Sequence, residues 1–238
     1  MKKNYILSIL SILIIYILLS SLINKAYILP SIVEILISLK NIIFSSSFLM
    51  IIFTTIWRTL LGLIISFTIA LILAFLAYFN ENIRDFMHPL YVLLKTIPNI
   101  TYIIIALLWL GRDGSAILVS FLVVFPIFYI SILNALLNID ESLIEVTEMY
   151  DVAILYKIRK VYLPLIKNDI LTSLSNCCSL GFKVSIMAEI LSQVKSGIGK
   201  ELYFAKANFM MADIIAWTII IILISSLVDY LLSLNKKR

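Results

Sequence analysis

The stretch Ser196-Gly197-Ile198-Gly199-Lys200-Glu201 ends in the Gly-Lys pair with which a phosphate-binding loop cradles a nucleotide. That chemistry also needs a glycine at position 194 and a Ser or Thr after the lysine to hold magnesium, and the chain has Val194 and Glu201 there. Its likeness to a nucleotide site is coincidence, and any energy source must lie on another chain. Metal chemistry fares no better. His88 is the one histidine, and Cys177 and Cys178 stand side by side in an apolar run, so they read as small core residues rather than ligands or a disulfide pair. No Ser-His-Asp or Cys-His set can be assembled on a shared face. The residues predict no enzyme, no metal and no cofactor.

What remains is a small set of charges inside apolar runs: Arg58, Lys95, Lys183 and Glu189. Each costs on the order of 2.5 to 3.5 kcal/mol at the centre of a bilayer, so each should face protein or water. Lys183 and Glu189 are six residues apart, roughly 240° around a helix, and therefore need separate partners. Arg58 either reaches the outer interface or pairs with Glu189 near the outer end of its span. Lys183 either faces a pathway or a subunit interface, where it would suit an anionic or zwitterionic solute, or simply fixes its helix. Asp229 and His88 read as interfacial caps.

The elements that carry these charges follow from composition. With 62% hydrophobic and 14% charged residues in 238, the chain has too little polar surface for a soluble globule, so lipid is its solvent. The predicted fold class is an all-α integral membrane protein of about six spans: Tyr5 to Ile23, Leu60 to Phe79, Leu90 to Leu110, Ser115 to Leu137, Ile170 to Leu191 and Ile214 to Leu234. The first is too long for a signal-peptide core and lacks a cleavage site, so it is expected to be retained. With both termini in the cytoplasm, ten Lys/Arg fall inside and six outside, the favoured bias. Ser31 to Phe44 is too short to cross and reads as an outer interfacial helix started by Pro30-Ser31. Pro98 and Pro126 should kink the third and fourth spans.

Between the fourth and fifth spans lies a polar block, IEVTEMYDVAILYKIRKVYLP, from Ile144 to Pro164. Asp140-Glu141-Ser142 should cap one short helix and Asp151 a second, running from Val152 towards Val161 until Leu163-Pro164 ends it. On that second helix Ile154, Leu155, Ile158, Val161 and Tyr162 share a face, with Lys157, Arg159 and Lys160 on the other. A solvated loop that only enforces topology would waste Ile144, Val146, Met149 and Tyr150. A knob that docks a soluble partner would use them.

Glu145-Val146-Thr147, followed nineteen residues after Glu145 by Pro164 of KVYLP, resembles the EAA loop of ATP-binding cassette importer permeases. The resemblance extends over ILPSIVEIL, TIWRTLLGLIISF, LLKTIPNITYIIIALLWLG, FPIFYISILNALLNIDESLIE and SLGFKVSIMAEIL with SGIG. It is similar to the branch associated with nitrate, sulfonate, taurine, bicarbonate and thiamine-precursor import. Two departures stand out: Val146-Thr147 replaces the family's Ala pair, and Asp151 its Gly.

The resemblance implies a type I importer permease fold (MetI-like), one transmembrane permease domain over 1–238 with a coupling loop at 140–164. It implies a coupling site of Glu145, Val146, Thr147, Tyr150, Asp151, Leu163 and Pro164; the cost of their charges in lipid, separately, places Arg58, Lys183 and Glu189 in the path or in intramembrane pairing. The implied partners are cytoplasmic ATPase subunits, an extracytoplasmic solute-binding protein, a second permease subunit (a second copy or a close relative) and the lipid bilayer, with no nucleic acid, in the cell membrane of a prokaryote. The alternative is an ion-coupled secondary transporter using Lys183 and Glu189; it would show internal repeats with broken helices, and no persuasive repeat is seen.

Overall fold

The computed structural model describes residues 2–23, 25–149 and 152–236, without the side chains of residues 2–6, 8–10, 12, 13, 147, 148 and 233–236. Tyr150 and Asp151, both expected in the coupling site, lie outside the described residues. Secondary structure among the described residues is helical throughout: α1 Lys2–Ile23, α2 Ile32–Ile43, α3 Phe48–Phe79, α4 Glu81–Thr96, α5 Asn99–Leu137, α6 Glu141–Glu148, α7 Ile154–Lys157, α8 Leu163–Leu165, α9 Lys167–Ser192, α10 Ile198–Ala207 and α11 Met211–Lys236.

Local chemistry sets several of these boundaries. α2 begins with a reciprocal cap: the Glu34 N–H donates to Ser31 Oγ at 3.3 Å and the Ser31 N–H donates to Glu34 Oε2 at 2.7 Å. Asn80 caps α4 through its side-chain oxygen. Pro98 does not kink a span from within; it stands between α4 and α5, with Ile97 and Pro98 both extended, so the expected span Leu90 to Leu110 is two helical pieces. A residue before proline is driven out of helical conformation, which is why α4 stops there. α5 is broken in turn at Gly111, whose φ of 69° and ψ of −167° no other residue adopts cheaply. Pro126 stays inside α5 and is buried.

Six spans were expected, and four helices among the described residues are long and apolar enough to cross a membrane: 48–79, 99–137, 167–192 and 211–232. The difference has two sources. The expected third and fourth spans meet at Gly111 within α5, and in α1 the described apolar stretch is Ile14–Ile23.

α5 is the central element, packed between α3 and α9. Phe128, Tyr129, Ile132 and Leu136 fill one end of the core with Ala70, Ala74 and Ala77 of α3, while Tyr102, Ile103, Ala116 and Val119 join Val184 and Ala188 of α9 in another cluster. α3 reaches α5 through a row of small residues at near four-residue spacing: Gly62, Ser66, Ala70, Ala74 and Ala77, all buried. Between membrane helices, where no hydrophobic force distinguishes protein from lipid, such rows let backbones approach and gain dispersion contacts. Ser66 Oγ donates to the Phe121 carbonyl at 3.0 Å across this seam. α9 and α11 run antiparallel: Phe182 and Ile186 share a cluster with Trp217 and Ile220, and Cys178 and Ser179 meet Ile224 and Ser225.

A methyl group on Gly62 would sit 2.7 Å from Ser120 Cβ and 2.9 Å from the Ile117 carbonyl oxygen. Gly62→Val is therefore expected to destabilise the α3–α5 seam by about 1–3 kcal/mol, read as a lower melting temperature in detergent or nanodiscs.

Candidate functional site

Three groups of polar residues stand out, two of them involving α9 and one in the block just before it. The first lies near the end of α9 that carries Ser192. Thr55 and Arg58 are one turn apart on α3 and so point to the same side. Arg58 donates through one nitrogen to Glu189 Oε1 at 2.8 Å and to the Ser196 carbonyl at 2.6 Å, and through the other to Asp113 Oδ1 at 2.7 Å. The second oxygen of Glu189 accepts from Thr55 Oγ1 at 2.9 Å and from the Gly199 N–H at 3.0 Å, while the Ile198 N–H donates to Thr55 Oγ1 at 2.8 Å. Glu189 is fully buried, the Arg58 side chain is 8% exposed, and Asp113 is 49% exposed.

Arg58 therefore does not reach for the interface; it joins α3, the start of α5 after Gly111, α9 and the turn before α10. The glycines that suggested a phosphate loop have a different task. At Gly197, with φ of 130°, a Cβ would lie 2.7 Å from a Glu189 oxygen, and a Cβ on Gly199 would collide with the Glu189 side chain. Only backbone can wrap a carboxylate this closely. Asp113 was missed from sequence because it sat in what read as an outer loop, Gly111-Arg112-Asp113-Gly114. The glycines on either side were the available signal.

The second group is the polar block. Asp140 caps α6, its Oδ1 accepting from the Ser142 N–H at 3.0 Å and from Ser142 Oγ at 2.8 Å. Those bonds hold its carboxyl below the usual carboxylate range. The cap is thus fully present at neutral pH and is lost only as the pH falls through that lowered value. The second helix differs from expectation. It starts at Ile154, with Ala153 in the cap position, and it does not end at Leu163-Pro164.

Over Ile158–Tyr162 the turn widens to a π-helix, with the Leu163 N–H donating to the Ile158 carbonyl, and Leu163 and Pro164 then form the first turn of α8. A wider turn relieves the clash that proline would make with the carbonyl four residues back, so the chain stays helical through it. Tyr162 anchors the block: it is 5% exposed, and its ring stands edge-on to Phe75, Tyr78 and Phe79 at centroid distances of 6.3, 5.5 and 5.6 Å.

Among the other expected coupling residues, Glu145 and Val146 are exposed on α6, Leu163 is half-buried against the core and Pro164 is exposed; Thr147 lies on α6 but its side chain is outside the described ones. Around them Met149, Val152, Ile154, Leu155 and Tyr156 are also exposed, Met149 at 85% and Leu155 at 74%.

The third group contains Lys183. It is exposed in the middle of α9 and lines an open groove of about 450 Å³ with Ser175, Asn176, Ser179, Leu180 and Asp229 of α11. Asn176, Ser179 and Lys183 fall within roughly 60° of one another around the helix, so they form one stripe. Asp229, expected as an interfacial cap, shares this groove.

Residues 66–238 match the family described as binding-protein-dependent transport system inner membrane component. The chain is 24% identical over 216 residues to the protein of Bacillus subtilis (strain 168) named aliphatic sulfonates transport permease protein SsuC, covering 90% of this chain and 78% of that one. It is 30% identical over 131 residues to the Escherichia coli (strain K12) protein of the same name, covering 54% of this chain and 49% of that one. Among solved structures, two crystal forms of the MetNI methionine ABC transporter in inward-facing conformations share the fold. One has a TM-score of 0.69 at 17% identity and covers 78% of this chain and 92% of its own; the other has 0.61 at 20%, covering 79% and 98%.

The two carboxylates on Arg58 should not be equivalent. Glu189→Gln leaves a buried guanidinium short of its charge partner and is expected to cost about 3–5 kcal/mol, whereas Asp113→Asn removes a half-exposed partner and should cost about 1 kcal/mol or less. Thermal unfolding of the two variants side by side checks the order.

Proposed function

The chain belongs to the binding-protein-dependent transport system inner membrane components, and from that premise we propose that its 140–165 block seats a cytoplasmic ATPase and that the Lys183 stripe lines the solute path. It is a multi-pass permease component of an ATP-binding cassette importer, and its relatives are transport permeases rather than enzymes. The observation that carries the ATPase seat is the combination of a fixed base and an apolar rim. Tyr162 and Ile166 are buried in the core while Val146, Met149, Ile154 and Leu155 stand out from it, more than half exposed. A soluble partner with a matching cleft would cover them. The binding of nucleotide by that partner would then move the block, and the packed helices behind it, as a body.

Solute selectivity is read from the stripe. A lysine exposed along a membrane-crossing helix favours a solute with a negative group, and the relatives named for aliphatic sulfonates supply a solute class of that kind. We take the solute to be a small anion or zwitterion. An outer solute-binding protein delivers it, and a second copy of this chain forms the other wall, with both termini on the cytoplasmic side as the Lys/Arg bias favours. The ion-coupled alternative finds less support. Glu189, which it would use as a proton carrier, is sealed from solvent and already accepts from Arg58, Thr55 and Gly199.

Val146→Asp and Leu155→Asp test the seat. Both side chains are exposed, so the permease should fold and melt as before, while ATP-driven uptake in vesicles carrying the complete transporter should fall by at least about tenfold for lack of a productive ATPase contact. Uptake equal to wild type in both variants would refute the assignment. In the same vesicles uptake should survive a proton uncoupler and stop when ATP is removed.

A further inference from the structure

Resting on that transport reading, we propose that Lys183 and Asp229 are the two ends of a binding site for a small zwitterion, with the anionic group at Lys183 and a cationic group at Asp229. Both side chains are exposed on the same groove, with Ser175, Asn176 and Ser179 between them. Among the described residues the ion pairs are Arg58 with Asp113 and Glu189, Arg84 with Glu81, and Lys200 with Glu201, so neither groove charge is in an ion pair among them. Charges within membrane-crossing helices need a complement.

Their placement follows from the antiparallel packing of α9 and α11. Phe182 and Ile186 cluster with Trp217 and Ile220, and Cys178 and Ser179 line one cavity with Ile224 and Ser225, a register that sets Asp229 near the level of Ser175 and Lys183 near that of Ile220. Nine residues separate Ile220 from Asp229, so the two charged residues are offset by about 13 Å along the axis. Side chains lean towards the N-terminus of their own helix. On antiparallel helices Lys183 and Asp229 therefore lean towards each other, and the lysine stem shortens the gap to the span of a short aliphatic solute. A simple anion would satisfy Lys183 and be repelled by Asp229. A molecule with one charge of each sign satisfies both, and the hydroxyls and amide between them can take its polar atoms.

The test compares 3-aminopropanesulfonate with propane-1-sulfonate, which lacks only the ammonium group. In the complete transporter in nanodiscs, with Cys177→Ala and Cys178→Ala as background, Ser179→Cys is labelled by a small methanethiosulfonate reagent. The amino compound should slow labelling at about tenfold lower concentration than its counterpart, and Asp229→Asn should abolish that preference. Equal protection by the two compounds, protection by neither, or a preference that survives Asp229→Asn would each overturn the site. So would a pairing between two copies, in which Asp229→Asn reduces the dimer fraction and Lys183→Asp with Asp229→Lys restores it. Uptake by the unmodified transporter separates this outcome from the reading it rests on: ATP-driven uptake without selective protection sinks the site alone, and selective protection without ATP-driven uptake sinks the transport reading alone.

Discussion

A guanidinium enclosed between two carboxylates and a turn of bare backbone is the constraint on which this architecture depends. A buried charge stripped of its partner is far more costly than the pair is stabilising, so once Arg58 and Glu189 are inside, everything around them must complete their hydrogen bonds. Glu189 uses both oxygens on three donors, and Arg58 also donates to Asp113 and the Ser196 carbonyl. The consequences extend into the chain's covalent geometry. Residues 197 and 199 have to be glycine because a Cβ at 197 would enter the carboxylate's space and one at 199 would strike the Glu189 Cβ and the backbone beside it, and the turn between α9 and α10 is thereby fixed. One ionic cluster thus positions four segments that are otherwise distant in sequence.

α9 connects this cluster to the rest. Twenty-six residues make a rod about 39 Å long. Tyr162 and Ile166 pin the block immediately before it into the core, Lys183 stands along its middle, and Glu189 secures its other end. α5, packed along it, is interrupted at Gly111, two residues before Asp113. A displacement applied at α6 to α8 would therefore be carried by a rigid element past the Lys183 groove to a charge cluster that also holds the break in α5. Packed interiors switch between discrete arrangements rather than bending smoothly, so such a connection suits transmission over this distance.

Much of this was legible in the sequence, and the failures have physical causes. Caps are local, so Ser31 with Glu34 and Asp140 with Ser142 could be read from neighbours alone. Spacing gave the rule that Lys183 and Glu189 need separate partners, and the cost of charge in lipid pointed Arg58 towards Glu189. Asp113 was invisible to that argument because a carboxylate in a loop carries no desolvation signal until the loop is placed. The small-residue row from Gly62 to Ala77 went unread amid a uniformly apolar helix, where periodicity has little contrast. At Pro164 the rule that proline ends a helix lost to a π-turn, a compensation that depends on the backbone rather than on residue type. The spans Leu90 to Leu110 and Ser115 to Leu137 were separated at the right glycine, but hydropathy could not show that α4 stops at Thr96.

The two charged clusters on α9 also show how one helix can serve opposite needs. Where every donor and acceptor is satisfied and water is excluded, as at Glu189, the arrangement is costly to alter and acts as a fixed point. Where charges are exposed and in no ion pair among the described residues, as at Lys183 and Asp229, each contact with a solute competes with water and contributes about 1 kcal/mol or less. A handful of such contacts gives affinities near the millimolar range, about 4 kcal/mol. A path must bind well enough to admit its solute and weakly enough to release it. Sealing the Lys183 groove as tightly as the Arg58 cluster would turn a passage into a trap, so its incompleteness is what the proposed function requires.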